Sequence, residues 1–564
     1  MDFKLEIASA IAAAANLDKN EVYLNIETPP DKKMGDYAFP CFRLAKTLRK
    51  APPLIAQEIS SKIEKPDFIS EIKVQSAYLN FFTDKSVFAE KVISKVIAEK
   101  ENYGRSTEGN GKTVVIDYSS PNIAKPFHVG HLRSTVIGNS LYKIYEFMGY
   151  KCVGINHLGD WGTQFGKLIS AYKRWGSKEA VEKDGISELM RIYVKFHEEA
   201  EKEPSLNDEA RAWFKKMQDG DKEALSLWKW FHDMSMKEFN RIYDVLGVKF
   251  DAFTGESFYN DKMAAVVDEL KEKKLLKKSN GAEIVDLEEA DMPPCLIIRS
   301  DGGTLYATRD IAAAFYRKKT YNFDKCLYVT AVDQNLHFAQ WFKVIEKMGY
   351  PWSKDLVHVP FGLVSLPDGK LSTRRGKVVL MEELLKEAVN KTRNIIEDKN
   401  PELPDKEKVA RQVGIGAVIF DDLYNGRIKD VVFSWDKMLN FEGETGPYVQ
   451  YTNARACSIL RKAENINFEN IDYTSLTDGA SVDVCRLLDI FSDKVCDAAS
   501  KYEPSIVSRY LVDLSQAFNK FYHDNPILSA EKEVCKARLA VVKSVSTVIK
   551  AGLSLLGIQA PEQM

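Results

Sequence analysis

Cysteine is scarce and scattered: eight residues in a chain of 564, at Cys41, Cys152, Cys295, Cys326, Cys457, Cys485, Cys496 and Cys535, with no CxxC pair. That excludes a disulfide framework and leaves no zinc signature, so a reduced protein without a metal-ligand set is expected. Also missing is a run of about 20 apolar residues long enough to span a bilayer. The Ala-rich segment Ile7 to Ala15 is too short, and reads as a helix of a first domain. The opening Met1-Asp2-Phe3-Lys4-Leu5-Glu6 lacks the basic-then-apolar order of a secretory signal. A cytoplasmic location with no membrane partner is the expectation. Neither sign of charge is in excess: 79 basic residues face 81 acidic ones, for a net charge of −2. A general nucleic-acid coat is thereby excluded, though a local basic face is not. Internal repeats and low-complexity tracts are absent too. What is present is an ordinary globular composition, 45% hydrophobic and 11% aromatic, in a chain too long for one core. Three or four domains are expected.

Residues 1–110 mix helical and strand-like segments, with Val74 to Phe82 reading as a strand. Glu101 to Gly111 is polar and Gly-containing, a linker. A βαβ unit follows. Thr113 to Tyr118 is a buried strand and Ser119 to Phe127 a loop with two prolines. His131 to Met148 has helical apolar spacing (Leu132, Val136, Ile137, Leu141, Ile144, Met148), and Cys152 to Asn156 is the next strand. Such units imply a parallel sheet whose ligands bind beyond the carboxyl ends of the strands, where the Ser119–His131 loop and Asn156-His157 fall. A charged helical insertion is expected near 167–250. Strand signals return at Cys295 to Ile298 and Cys326 to Val329, and beyond Asp405 the pattern is almost wholly helical, ending in the amphipathic segment Val534 to Leu556.

Gly111-Lys112-Thr113 imitates the end of a Walker A loop, but Ser106 stands where the first glycine belongs and a strand follows where a helix is needed. The segment Ser119-Ser120-Pro121-Asn122-Ile123-Ala124-Lys125-Pro126-Phe127-His128-Val129-Gly130-His131 is different. His128 and His131 open a helix whose N-terminal N–H groups favour anions. Gly130 allows a nucleotide to approach the backbone, and Lys125 adds charge. Together they suit a triphosphate attacked at its α-phosphate. A pair of helix-capping histidines is the plainer reading. Downstream, Lys370-Leu371-Ser372-Thr373-Arg374-Arg375-Gly376-Lys377 is a basic loop before a helix, either a solvated surface loop or a clamp for leaving pyrophosphate.

These two segments are similar to the HIGH and KMSKS signatures of class I aminoacyl-tRNA synthetases. The surroundings resemble one family, the arginyl-tRNA synthetases: Ser119 through Thr135, Leu158-Gly159-Asp160-Trp161-Gly162-Thr163-Gln164-Phe165-Gly166, Tyr306-Ala307-Thr308-Arg309-Asp310, Glu444 through Arg455, and Leu556 through Met564. The resemblance runs from the Gly35-Asp36-Tyr37 region to the last residue. It implies an α/β protein: a Rossmann-type parallel-sheet catalytic domain, a small α+β N-terminal domain that touches the tRNA elbow, and an all-α C-terminal anticodon-binding domain. The expected bounds are 1–110, 111–380 with its insertion, a connecting helical region 381–440, and 441–564.

Carried over by motif, Ser120, Pro121, Asn122 and His131 lie at the arginine or its adenylate, and Tyr306, Asp310, Gln334 and Glu256 complete the amino-acid pocket. His128, Gly130, His131 and Lys370 meet ATP, brought as its Mg2+ complex. Guanidinium presents a planar fork of donors that a carboxylate accepts in bidentate fashion, which suits Asp310 with Glu256 beside it. The competing reading of Asp310 is an N-cap before Ile311-Ala312-Ala313-Ala314. Tyr306 and Gln334 could equally be core and surface residues. The downstream loop departs from the family pattern, with Thr373 for the second lysine and Arg374 for the last serine. By the resemblance Lys125 compensates, leaving the loop's work to be divided among Lys370, Arg374 and Lys125. The resemblance also implies tRNA(Arg) contacts at Tyr78 and Asn80, at Tyr448, Tyr451, Arg455 and Arg461, and at Met564, in a chain expected to act as a monomer. A cysteinyl-type synthetase would want metal ligands that the pocket motifs lack. A non-catalytic RNA-binding paralogue should have lost His128, His131 or Asp310, and all three are present.

Overall fold

The computed structural model describes residues 3–29, 31–300, 302–366, 369–370, 379–432, 434–463 and 467–564. They form two compact units: Met1–Tyr103 with Arg455–Phe491 and Asp513–Ile549, and Gly104–Ala454 with Ser492–Val512 and Lys550–Met564.

In the first unit, strands β1 (Tyr37–Pro40), β2 (Ile69–Gln75) and β3 (Tyr78–Thr83) form an antiparallel sheet in the order β1-β3-β2. The segment Val74 to Phe82 is therefore not one strand but a hairpin, with Val74 paired to Leu79 and Gln75 to Tyr78. Ser76 makes the turn at φ 53°. Both arms carry branched and aromatic residues, and a Ser-Ala turn has none of the Gly, Pro or Asn signals that mark one in sequence. Leu79 and Phe81 are buried from β3, and Phe3 packs on Phe68 and Phe88 with ring centroids 4.8 Å apart in each case.

The second unit is built on a five-stranded parallel sheet: β4 (Thr113–Asp117), β5 (Lys151–Asn156), β6 (Ala252–Phe253), β10 (Lys325–Ala331) and β11 (Leu356–Phe361), ordered β11-β10-β4-β5-β6. The order reverses between β10 and β4, which places a ligand crevice at the carboxyl end of β4. Strands β7 (Leu276–Ser279), β8 (Ala282–Val285) and β9 (Cys295–Ile298) make a separate antiparallel sheet. A third small sheet joins β12 (Val364–Leu366) to β13 (Gly369–Lys370) and β14 (Val431–Val432).

Helix Leu132–Phe147 crosses from β4 to β5, and every residue from Leu132 to Leu141 is buried. The apolar spacing of its sequence suggests one buried face. The other side is covered as well because Ser134, Thr135 and Ser140 each find a hydrogen-bond acceptor there, so burial leaves no hydroxyl unsatisfied. Gly138 lets the helix approach the sheet: a Cβ there would lie 2.3 Å from Tyr118. The insertion comprises helices Thr163–Trp175, Lys178–Asp184, Ile186–Lys202, Leu206–Gln218 and Lys222–Leu246, with Ile192, Phe196, Phe231 and Phe239 on their buried faces. Among the described residues no helix is long and apolar enough to cross a membrane.

Candidate active site

The loop after β4 holds three non-glycine residues in the left-handed region, Ser119 (φ 72°), Ser120 (φ 49°) and Ala124 (φ 60°). Such a conformation persists only where its surroundings enforce it. The Ser119 N–H donates to Ser134 Oγ at 2.8 Å, and Ser119 Oγ meets the Tyr243 hydroxyl at 2.7 Å and Thr135 Oγ1 at 2.8 Å. The Ala124 N–H donates to Ser235 Oγ at 2.9 Å. Asn122 bridges to Gly159 in the loop after β5, whose N–H donates to Pro121 O at 3.1 Å. Ser235 and Tyr243 belong to the last insertion helix, which therefore forms a wall of the site.

His128 and His131 do cap the helix, and the capping decides their chemistry. His128 Nδ1 accepts from the Gly130 N–H at 3.1 Å, and His131 Nδ1 accepts from the His128 N–H at 3.2 Å. With each Nδ1 used as an acceptor, the network assigns the proton to Nε2 on both rings. Burial pushes the His131 pKa down to about 3 and lowers that of His128 as well, with Lys125 adding to both. The pair is neutral at pH 7 and offers N–H donors rather than cations. Gly130 is needed because a Cβ there would stand 2.8 Å from the His128 ring. Lys125 is half-buried, and desolvation lowers its pKa.

Residues 379–381 are fastened to this motif. The Val129 N–H donates to Val379 O, the Met381 N–H donates to Phe127 O, and His128 bridges to Leu380. Lys370 lies in β13, paired with Ser365 of β12; Arg374 lies outside the described residues. Arg133, 1% exposed, pairs with Asp422 at 2.8 Å and donates to Gly362 O at 2.9 Å and Lys429 O at 2.7 Å. It thus joins the histidine helix to the segments leading into β12 and β14.

Asp310 lies in the second turn of helix Tyr306–Tyr321, whose N-cap is Leu305. The N-cap alternative for Asp310 is overturned, because the helix starts four residues earlier. Its Oδ2 accepts from His337 Nε2 at 2.6 Å. Glu256 faces Arg309 at 3.4 Å. Burial raises the Glu256 carboxyl to about 7, Arg309 opposes this, and Asp160 and Asp310 add to it. Asp160 accepts from the N–H and hydroxyl of Ser257 at 2.8 and 2.6 Å, fixing the Glu256 loop. Tyr306 is 66% exposed and lines a cleft of about 770 Å³ with Trp161, Gln164, Arg299 and Arg309. Gln334 is exposed beside the helix that carries His337.

A polar chain runs from Ser120 to His157. Ser120 Oγ donates to Asp117 Oδ1 at 3.0 Å, Arg317 pairs with Asp117 Oδ2 at 2.7 Å, and Arg317 Nη2 lies 3.3 Å from His157 Nδ1. Ser119, Asp117, Arg317, Arg133, Tyr243, Ser235 and His337 escape a reading from sequence. Asp117, a carboxylate at the end of a buried strand, carried the only local signal; the others acquire partners from other segments of the chain.

Of the residues expected at RNA, Tyr78 is half-buried beside Phe42, while Asn80 is 4% exposed and donates to Gln75. Tyr451 and Arg461 are exposed on helix Gly446–Lys462, Tyr448 is half-buried, and Arg455 reaches Asn519 and Tyr522. Met564 packs against Ile396, Leu403 and Val413.

Family models match three stretches: class I (R) tRNA synthetase catalytic domain over residues 92–435, the DALR anticodon binding domain over 449–564, and the arginyl tRNA synthetase N terminal domain over 1–83. The chain is 57% identical over 564 residues to an arginine–tRNA ligase of Alkaliphilus metalliredigens and 56% identical to one of Clostridioides difficile, each covered fully on both sides. Among solved structures, the arginyl-tRNA synthetase of Thermus thermophilus superposes with a TM-score of 0.84 at 26% identity, and that of Plasmodium falciparum with 0.82 at 27%, each with full coverage of both chains. With a catalytic-domain match over more than half its length and full-length relatives above 50% identity, the chain belongs to the class I arginyl-tRNA synthetase family.

Proposed function

We propose that this chain activates L-arginine with ATP and transfers it to the 3′-terminal adenosine of tRNA(Arg), releasing AMP and pyrophosphate. The observation that carries the reading is the pairing of two donor and acceptor sets. Neutral imidazole donors and a half-buried lysine follow β4; two carboxylates, Asp310 and Glu256, form the other set, the latter joined to the β4 loop through the Asn122–Gly159 bridge and Asp160. The arginine carboxylate attacks the α-phosphate in line and pyrophosphate leaves. No general base is required, since that carboxylate is ionised at neutral pH. Nε2–H of His128 and His131, the Lys125 ammonium and the helix N-terminus take up charge developing on phosphate, an arrangement whose single donors are worth about 10²–10³ in rate. Ser120, Pro121, Asn122 and Gly130 line the substrates, and Tyr306, Asp310, Gln334 and Glu256 receive the amino acid.

Among the described residues no three His, Cys, Asp or Glu side chains converge as a metal site. A magnesium ion would be held by the nucleotide's own phosphates, where it neutralises their charge. Lys370 and Arg374 would meet the pyrophosphate. In the second step the terminal ribose hydroxyl attacks the adenylate carbonyl and AMP departs.

Tyr78 and Asn80 at the elbow, and Tyr448, Tyr451, Arg455, Arg461 and Met564 toward the anticodon, are the proposed RNA contacts, in an organisation of 1–110, 111–380, 381–440 and 441–564. The three matched family segments, 1–83, 92–435 and 449–564, support an N-terminal, a catalytic and an anticodon-binding part. A monomer is the proposed working form, and a role in protein synthesis supports a cytoplasmic place. ATP–pyrophosphate exchange across the amino acids, with and without total tRNA, tests the reading. Arginine alone should support exchange, and strongly only with tRNA present; exchange with another amino acid instead would overturn it.

A further inference from the structure

Asp310 already accepts a hydrogen bond within the protein: His337 Nε2 donates to its Oδ2 at 2.6 Å, which uses one of the carboxylate's lone-pair sites and fixes its orientation. His337 sits on helix Asn335–Lys347, three residues beyond Gln334, and reaches across to the helix that carries Asp310. Both side chains are about one-quarter exposed, 28% and 26%, so the bond is open to solvent rather than sealed in the core. The imidazole is itself placed edge-on to Phe338, with ring centroids 5.6 Å apart, and Phe338 stacks on His358 at 4.4 Å. A carboxylate has no proton to give, so Nε2 is the donor.

From this geometry we infer that His337 is a positioning and selectivity residue for the arginine side chain, an inference that rests on the arginine-activating reading above. A partly exposed aspartate on a helix has several rotamers. The His337 bond selects one, and leaves Oδ1 and the second lone pair of Oδ2 to meet substrate N–H groups. The guanidinium is then read by two carboxylates, the oriented Asp310 and Glu256, whose charges act on each other. An ammonium group has no planar spread of donors with which to satisfy both. Glu256 already faces one guanidinium, that of Arg309, at 3.4 Å, which shows that its carboxylate can receive such a group.

The test uses the full-length protein with tRNA present. The wild type is first assayed by ATP–pyrophosphate exchange with arginine; failure there overturns the arginine-activating reading itself. Given activity, His337→Ala should raise KM for arginine about tenfold, the size expected when one charge-assisted hydrogen bond is lost. It should leave KM for ATP within a factor of two, with kcat falling less than KM rises. His337→Gln, whose amide nitrogen reaches about as far as Nε2, should recover most of that loss. Thermal melting of both variants checks the fold. An unchanged KM for arginine in His337→Ala overturns the inference. So does an equal rise in KM for ATP, or a Gln variant as impaired as the Ala variant while both melt like the wild type.

Discussion

The two histidines that cap a helix act in the site through that same capping. Each Nδ1 is spent on a backbone N–H, so each Nε2 presents a hydrogen, and burial keeps the rings neutral. The one cation of the described motif is Lys125. Lys125→Ala should therefore lower kcat for arginine-dependent exchange about 10²-fold or more with little change in KM for arginine. Asp310→Ala should do the reverse, raising KM for arginine and sparing KM for ATP; the same kinetic pattern in both variants would refute the division of labour. Glu256 gives the pH dependence. Burial first, then Asp160 and Asp310, raise its carboxyl from the ordinary 4.5 to about 7 against the pull of Arg309. Between those values the folded protein holds a proton that the unfolded chain has released, so Glu256 makes the fold lose stability as pH rises through the window. Its capacity to accept from a guanidinium changes the opposite way. KM for arginine should fall as pH rises from about 6 to 8, and that slope should vanish in Glu256→Gln. A flat profile in the wild type would remove Glu256 from the pocket.

At the scale of elements, the site is a loop that its own sequence does not favour. Ser119, Ser120 and Ala124 adopt left-handed backbone without being glycine, and strain of this kind costs about 1–3 kcal/mol per residue. Hydrogen bonds from two helices hold it. Ser134 and Thr135 come from the helix that follows the loop, and Ser235 and Tyr243 from the end of the insertion. Ser235→Ala removes the acceptor for the Ala124 N–H. It should lower unfolding free energy by about 1–2 kcal/mol in urea titration, and should lower kcat because Lys125 is the next residue. If activity were unchanged at full destabilisation, the insertion helix would be scaffold rather than wall. Val74 to Phe82 teaches a related lesson. Its alternation and aromatic content announced strand, and strand it is, but the Ser76-Ala77 turn that doubles it back has no chemical mark in the sequence.

Across the second unit, Arg133 ties the histidine helix to Asp422, Gly362 and Lys429, residues separated from it by some 230 to 300 positions. Removing one partner of a buried pair leaves an uncompensated charge, at a cost of about 3–5 kcal/mol. Arg133→Met should shift the urea midpoint accordingly at pH 8. Burial already raises the Asp422 carboxyl and Arg133 opposes it. Without Arg133 the carboxyl rises further and takes up a proton as pH falls, so the deficit should shrink at lower pH. Arg133→Met combined with Asp422→Leu should recover most of the stability. Recovery of stability without recovery of ATP–pyrophosphate exchange would mean that the pair also sets the root of β12 against the histidines.

The βαβ unit, the position of His128-Val129-Gly130-His131 at the end of β4, the helical insertion and the family itself were legible from sequence, because each rests on local periodicity, a helix start or an ordered set of short motifs. These are properties of neighbouring residues, and neighbours are what a sequence displays. The tertiary structure alone decided which nitrogen of each imidazole bears the proton and which oxygen of Asp310 already accepts from His337. It also decided why a helix rich in serine and threonine can be buried on every side, and that Arg133 and Arg317 are buried ion-pair partners instead of surface charges. Each of those facts depends on a partner from another segment, and on the desolvation that comes only when the segments close over one another.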